Sequence, residues 1–239
     1  MRHTQFPRFG TVVLAAAVAG CASSSANTAQ TAPPPAPAAA STAGAPAGPV
    51  KSQPAAIAEA RADSVRHPYT TADVQFMQGM IGHHAQAIIM AGWAPTHDAS
   101  PNVRTLCDRI INSQQDEIVT MQRWLADRQQ MVPDGRTPGM KMMMNGTEQV
   151  MLMPGMLSAA QMTELDHAKG LEFDRLFLTF MIQHHRGAVS MVHDLFETQG
   201  AGQDELVFKF ASDVNVDQTT EIARMEKMLA IAQLLSGAQ

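Results

Sequence analysis

Two pairs of adjacent histidines, each bracketed by methionines, are the residues of this sequence most able to do chemistry. The segment FMQGMIGHHAQAIIMA begins at Phe76, and FLTFMIQHHRGAVSMV begins at Phe177 at a constant offset of 101 residues. Met80 matches Met181, His83 and His84 match His184 and His185, and Met90 matches Met191. Imidazole and thioether without thiolate form a soft to borderline donor set. Thioethers select Cu(I), whereas Zn and Ca ask for thiolate or oxygen-rich shells, so copper, favoured as Cu(I), is the expected ion. The bland alternative is that the methionines fill a core and the histidines are hydrogen-bonded within it. Four imidazoles in matched pairs speak against that, because burying them costs desolvation that apolar residues avoid.

These residues must be positioned by helices. Phe76, Met80, His83 or His84, Ala87 and Met90 recur at three and four residues, which makes one stripe of a helix. Adjacent residues of a helix point about 100° apart, so one histidine of each pair faces the interior while the other lies at its flank. A second repeated segment, offset by 104, sets INSQQDEIVTMQRWL from Ile111 against NVDQTTEIARMEKML from Asn215. It pairs Gln114 with Gln218, Glu117 with Glu221 and Met121 with Met225. Two helices per copy predict four helices: one capped by Thr70 or Thr71 and ended near Pro95, one from about Pro101 to Arg128, one from near Leu171 to before Gly200, and one from Gln203 to about Leu235. A twofold relation between the copies brings the His pairs together inside an all-α bundle. Glu117, Met121, Glu221 and Met225 then face them from the partner helices and complete the candidate metal ligands.

Between repeat one (about 71–128) and repeat two (about 171–235) lies a connection that holds nine of the 18 methionines within Met131 to Met162. Met140, Met142, Met143, Met144, Met151, Met153 and Met156 are candidate ligands there, or adaptable apolar contacts. Pro133, Gly135, Pro138, Gly139, Pro154 and Gly155 are expected to break it into turns. His67, His97, His167 and His193 have no repeat partner and read as ordinary surface residues.

The N-terminus has the form of a secretion signal over residues 1–20: Arg2 and Arg8 precede a short apolar run from Thr11 to Gly20. That run is too short to span a bilayer. It ends in Val18-Ala19-Gly20-Cys21, which resembles the lipobox of bacterial lipoproteins and implies lipidation of Cys21. Residues 21–54, rich in Ala, Pro, Ser, Thr and Gly, read as a tether from membrane to a folded domain at 55–239. The expected location is the cell envelope, facing the periplasm in a Gram-negative cell. Cys107 is then the sole remaining thiol and no intrachain disulfide can form. A net charge of −5 argues against nucleic acid as a partner.

The duplicated HH segments, with MPGMLSAAQM leading into the second and QQDEIVTMQRWL following the first, resemble a ferritin-like bacterial family long described as a domain of unknown function. That family includes the CopM-type periplasmic copper-binding proteins. The resemblance spans about Asp73 to Leu229. It implies a ferritin-like four-helix bundle, export, copper binding and copper tolerance. It supports Met80, His83, His84, Met90, Met181, His184, His185 and Met191 as ligands. The expected partners of this chain are copper ions, the membrane through Cys21, and a copper-handling protein as a candidate. No catalytic residues are expected. A di-iron enzyme would need paired Glu-x-x-His elements, and Glu164 to His167 stands outside the repeat. A metal-free interaction lipoprotein is the other alternative.

Overall fold

The computed structural model describes residues 52–66 and 69–236. The signal segment, Cys21 and nearly all of the tether lie outside the described residues. The described chain is mostly helical with one small two-stranded sheet. Its elements are α1 (Gln53–Arg66), α2 (Thr71–Gly92), α3 (Pro101–Asp127), β1 (Met140–Met144), β2 (Thr147–Met151), α4 (Ala159–His167), α5 (Gly170–Glu197) and α6 (Glu205–Ser236). No described helix is long and apolar enough to cross a membrane.

Capping explains where the helices of the first copy begin. Thr70 accepts from the backbone N–H of Asp73 while the Asp73 carboxylate accepts from that of Thr70, a reciprocal capping box. Ser100 caps α3, with Pro101 at its first position. The aspartates three residues before each repeated Phe also tie the copies together. Asp73 accepts from the backbone of Gly202 at 2.7 Å, in the loop between α5 and α6. Asp174 accepts from the backbone of Ser100 at 3.1 Å, in the loop between α2 and α3. Each copy thus satisfies a loop N–H of the other through a buried carboxylate.

α3 packs along α2, α6 along α5, and α2 meets α5. The core these helices enclose is two apolar clusters rather than one. One holds Met90, Leu106, Ile110, Phe173, Phe177, Met181 and Met225. The other holds Met77, Met80, Ile118, Met121, Trp124, Met191 and Val207. Along α2 the buried members change cluster between Ile81 and Ala87, and along α5 between Ile182 and Ala188. On α3 the change falls between Ile110 and Ile118, and on α6 between Val214 and Met225. The buried side chains in those gaps include His83, His84, Gln114, His184, His185 and Gln218. A polar layer therefore crosses the middle of the protein between two greasy halves.

The Met-rich connection departs from the expectation of turns alone. Met140 pairs with Met151 and Met144 with Thr147 in an antiparallel hairpin. Asn145 and Gly146 close it with φ of 52° and 76°. Positive φ at both central residues is the conformation a two-residue hairpin needs, and Asn-Gly is its strongest sequence signal. The hairpin and the segment after it lie against α2 and α5 as a strap. Gly139 donates its N–H to the Gly82 carbonyl at 3.2 Å. A Cβ on Gly82 would stand 2.0 Å from the Gly139 oxygen, and one on Gly187 would stand 1.9 Å from the Pro154 oxygen. The strap can lie this close only because both helices present glycine there. Gln86 then clamps Leu157, donating to its carbonyl and accepting from its N–H.

Candidate metal centre

The four histidines of the repeat all have 0% exposure. His83 and His184, one from each copy, face one another with ring centroids 3.8 Å apart. Within each pair the adjacent rings are 6.3 Å apart.

Three of the rings are held at Nε2 by oxygen. His83 Nε2–H donates to the Pro154 carbonyl at 3.0 Å. His84 Nε2–H donates to Glu117 Oε2 at 2.5 Å, and His185 Nε2–H to Glu221 Oε2 at 2.8 Å. A carbonyl or carboxylate oxygen only accepts, which assigns the proton to Nε2 in each ring. In the neutral ring Nδ1 then carries a lone pair. The Nδ1 atoms of His83, His84, His184 and His185 are all buried without a hydrogen-bond partner, as is Nε2 of His184. Orienting a histidine through one nitrogen while the other is left free is how metal-binding imidazoles are prepared.

Burial, reinforced by neighbouring His84, pushes the His83 imidazole down to about 3. Burial first and His83 second hold His184 well below the ordinary range as well. These rings are neutral at any ordinary pH, and no proton has to leave before they can donate a lone pair. Burial alone would raise the Glu117 carboxyl, but its hydrogen bond and charge interaction with His84, aided by Ser113, hold it below the usual range. Glu117 therefore acts as an ionised acceptor. Its outer side borders a cleft of about 340 Å³ that Asp116, Asp213 and Asp217 also line.

The expected ligands separate into distinct positions. Glu117 and Glu221 do face the histidines, but each is engaged with one ring rather than standing free. Met80, Met121 and Met191 lie in the apolar cluster on one side of the polar layer, and Met90, Met181 and Met225 in the cluster on the other. The donors of the layer itself come as imidazole pairs: among the described residues, no three His, Cys, Asp or Glu side chains are grouped to hold a metal. In the strap, Met140, Met142 and Met153 are half-buried, Met151 is exposed and Met143 is 70% exposed. Met156 is buried, and its sulfur accepts from the Met153 N–H at 3.2 Å. Met144 lies in β1, and its side chain is outside the described set.

Of the unrepeated histidines, His97 is not at the surface: it is 5% exposed, and its Nε2–H donates to the Asp166 carbonyl at 2.7 Å. Trp93 stacks on it, so its role is packing. His167 and His193 are exposed, and His67 lies outside the described residues.

Gln114 and Gln218 match in the repeat, a pairing that assigns them no role by itself. Both are buried, Gln114 with neither amide atom paired and Gln218 with Oε1 unpaired. Each stands one turn before the glutamate that holds a histidine, and that matched spacing was the available signal.

A mostly helical protein with a polar imidazole layer between two Met-containing cores is the class these features define. The family model described as a domain of unknown function (DUF305) matches residues 73–229, and the chain belongs to that family. It is similar to a solved DUF305 structure from Streptomyces coelicolor, named as a putative secreted protein, at 28% identity and a TM-score of 0.57, over 68% of this chain and 94% of that one. It is also similar to CopM in its Cu(II)-bound form, at 27% identity and a TM-score of 0.51, over 66% of this chain and 95% of that one. A curated relative, the uncharacterized protein L153 of Acanthamoeba polyphaga mimivirus, is 41% identical over 56 residues, 23% of this chain. That match spans 37% of the relative's own length.

Proposed function

We propose that this protein is an exported, lipid-anchored copper-binding protein of ferritin-like four-helix architecture, which holds Cu(I) as cargo between the buried imidazoles. It sequesters, buffers or delivers copper and so contributes to copper tolerance. The reading is one of binding without turnover.

The observation that carries it is the set of buried Nδ1 atoms without partners in His83, His84 and His185, the rings oriented by Pro154, Glu117 and Glu221. Unpaired buried nitrogens cost roughly 1–3 kcal/mol each, a cost that a bound ion removes. Low coordination by neutral nitrogen, with thioethers in the adjoining clusters, suits Cu(I) better than ions that require four or more hard donors. The solved CopM with bound Cu(II) supports copper as the ion, and the secreted relative supports export.

The test is Cu(I) titration of the purified protein against a competing chelator. The wild type is expected to take up at least one equivalent. His84→Ala with His185→Ala is expected to abolish tight nitrogen-coordinated uptake while circular dichroism reports a retained helical fold. If the folded double variant keeps its nitrogen-coordinated copper, the assignment fails.

A further inference from the structure

The hairpin puts thioethers on one face. Met140 and Met142 alternate on β1, so both project to the same side of the ribbon. Met151 is the cross-strand partner of Met140, and Met153 follows two residues later. Met143, of opposite parity, points to solvent and is 70% exposed. The inward face meets α2 and α5 at a cleft of about 320 Å³, lined by Met140, Met142, Met151, Met153 and by Met191 of α5. Asp194 borders the same cleft.

Five thioethers from three chain segments around one open cleft are poor packing and good ligation. A core wants filled volume, whereas here Met151 is exposed and Met140, Met142 and Met153 are only half-buried, and only Met191 is committed to the core. Thioether sulfurs are soft, neutral donors that favour Cu(I) over harder ions and do not titrate. The Asp194 carboxylate supplies the negative charge that neutral sulfurs lack.

The cleft also adjoins the polar layer. Pro154 lines it, and the carbonyl of that same residue accepts from His83 Nε2–H. Gly79, one turn before His83, lies beneath the thioethers: a Cβ there would stand 3.0 Å from the Met153 sulfur and 3.5 Å from the Met191 methyl.

We infer that the Met-lined cleft is a second metal site, a thioether site for a soft monovalent cation such as Cu(I), set at the entrance to the buried imidazoles. An ion captured there passes inward by exchange of sulfur for nitrogen donors, with no change of oxidation state and no bond formed or broken other than those to the metal. The entrance role rests on the imidazole reading, whereas the thioether site stands without it.

The experiment uses the full chain and Cu(I) alone, with equivalents counted by chelator competition, donors identified by X-ray absorption and loading followed by stopped flow. The variant M140L/M142L/M151L keeps side-chain volume and leaves the histidines untouched. It is expected to lose one equivalent of Cu(I), to lose the sulfur scattering of that copper, and to load its nitrogen-coordinated ion more slowly. His84→Ala with His185→Ala is expected to keep one sulfur-coordinated ion. Unchanged equivalents and sulfur scattering in the leucine variant overturn the thioether site, and an unchanged loading rate overturns its role as entrance. A wild type that binds copper through sulfur alone sinks the imidazole reading and leaves the cleft standing.

Discussion

Acidification separates a buried neutral His83 from an exposed one. The native imidazole titrates at about 3 and the unfolded one near 6.5. Between those values the unfolded chain binds a proton that the native protein does not. The stability contributed by the neutral ring is therefore whole above pH 6.5, falls as pH drops below it, and stops falling near pH 3. At about pH 5 the deficit is roughly 1.5 pH units, or about 2 kcal/mol from this one ring. His184 moves in the same direction. Glu117, whose carboxyl is held low, adds its own loss only at more acid pH.

Urea unfolding of the metal-free protein at about pH 7 and pH 5, followed by circular dichroism, measures this loss. His83→Asn isolates it: the stability lost between the two pH values is expected to be about 2 kcal/mol smaller in the variant than in the wild type. Because His83 is itself a cause of the lowered His184 pKa, the variant relaxes that ring too, which widens the difference. Equal losses in the two proteins refute the picture of a desolvated, neutral pair.

Two further outcomes follow from the geometry. Glu117→Gln with Glu221→Gln leaves the rings in place but weakens the acceptors at His84 and His185 Nε2, and copper affinity measured by chelator competition is expected to fall about 10–100-fold. Gly187→Ala sets a methyl against the Pro154 backbone oxygen, at 1.9 Å before relaxation. Its thermal or urea unfolding is expected to show a loss of about 2–3 kcal/mol, the scale of overpacking where the obstacle is backbone.

The four long helices were legible because their evidence is local. The three- and four-residue spacing, the caps at Thr70 and Ser100 and the matched offsets required no knowledge of distant contacts; α3 runs within a residue of its expected limits, and α5 starts at Gly170 and ends before Gly200 at Glu197. The apolar stripe made the burial of one histidine in each pair legible, but the other, expected at the flank, is fully buried as well, because Glu117 and Glu221 supply it with an acceptor from the facing helices. The hairpin carried a readable signal in Asn145-Gly146, obscured by the surrounding prolines and glycines.

What each histidine meets was decided by tertiary structure. Periodicity places His83 and His84 about 100° apart, but it does not say that the Pro154 carbonyl, 71 residues away, would accept a hydrogen bond from one, or that Glu117 would accept one from the other. Nor could spacing divide the methionines. Helix rise puts Met80 and Met90 on opposite sides of the histidines, but only the packing of the copies shows that Met80 shares its side with Met121 and Met191, and Met90 its side with Met181 and Met225. The paired histidines and their methionines were visible as types at intervals. Their roles came from contacts between residues far apart in the chain, where the close approach of the strap depends on the missing side chains of Gly82 and Gly187.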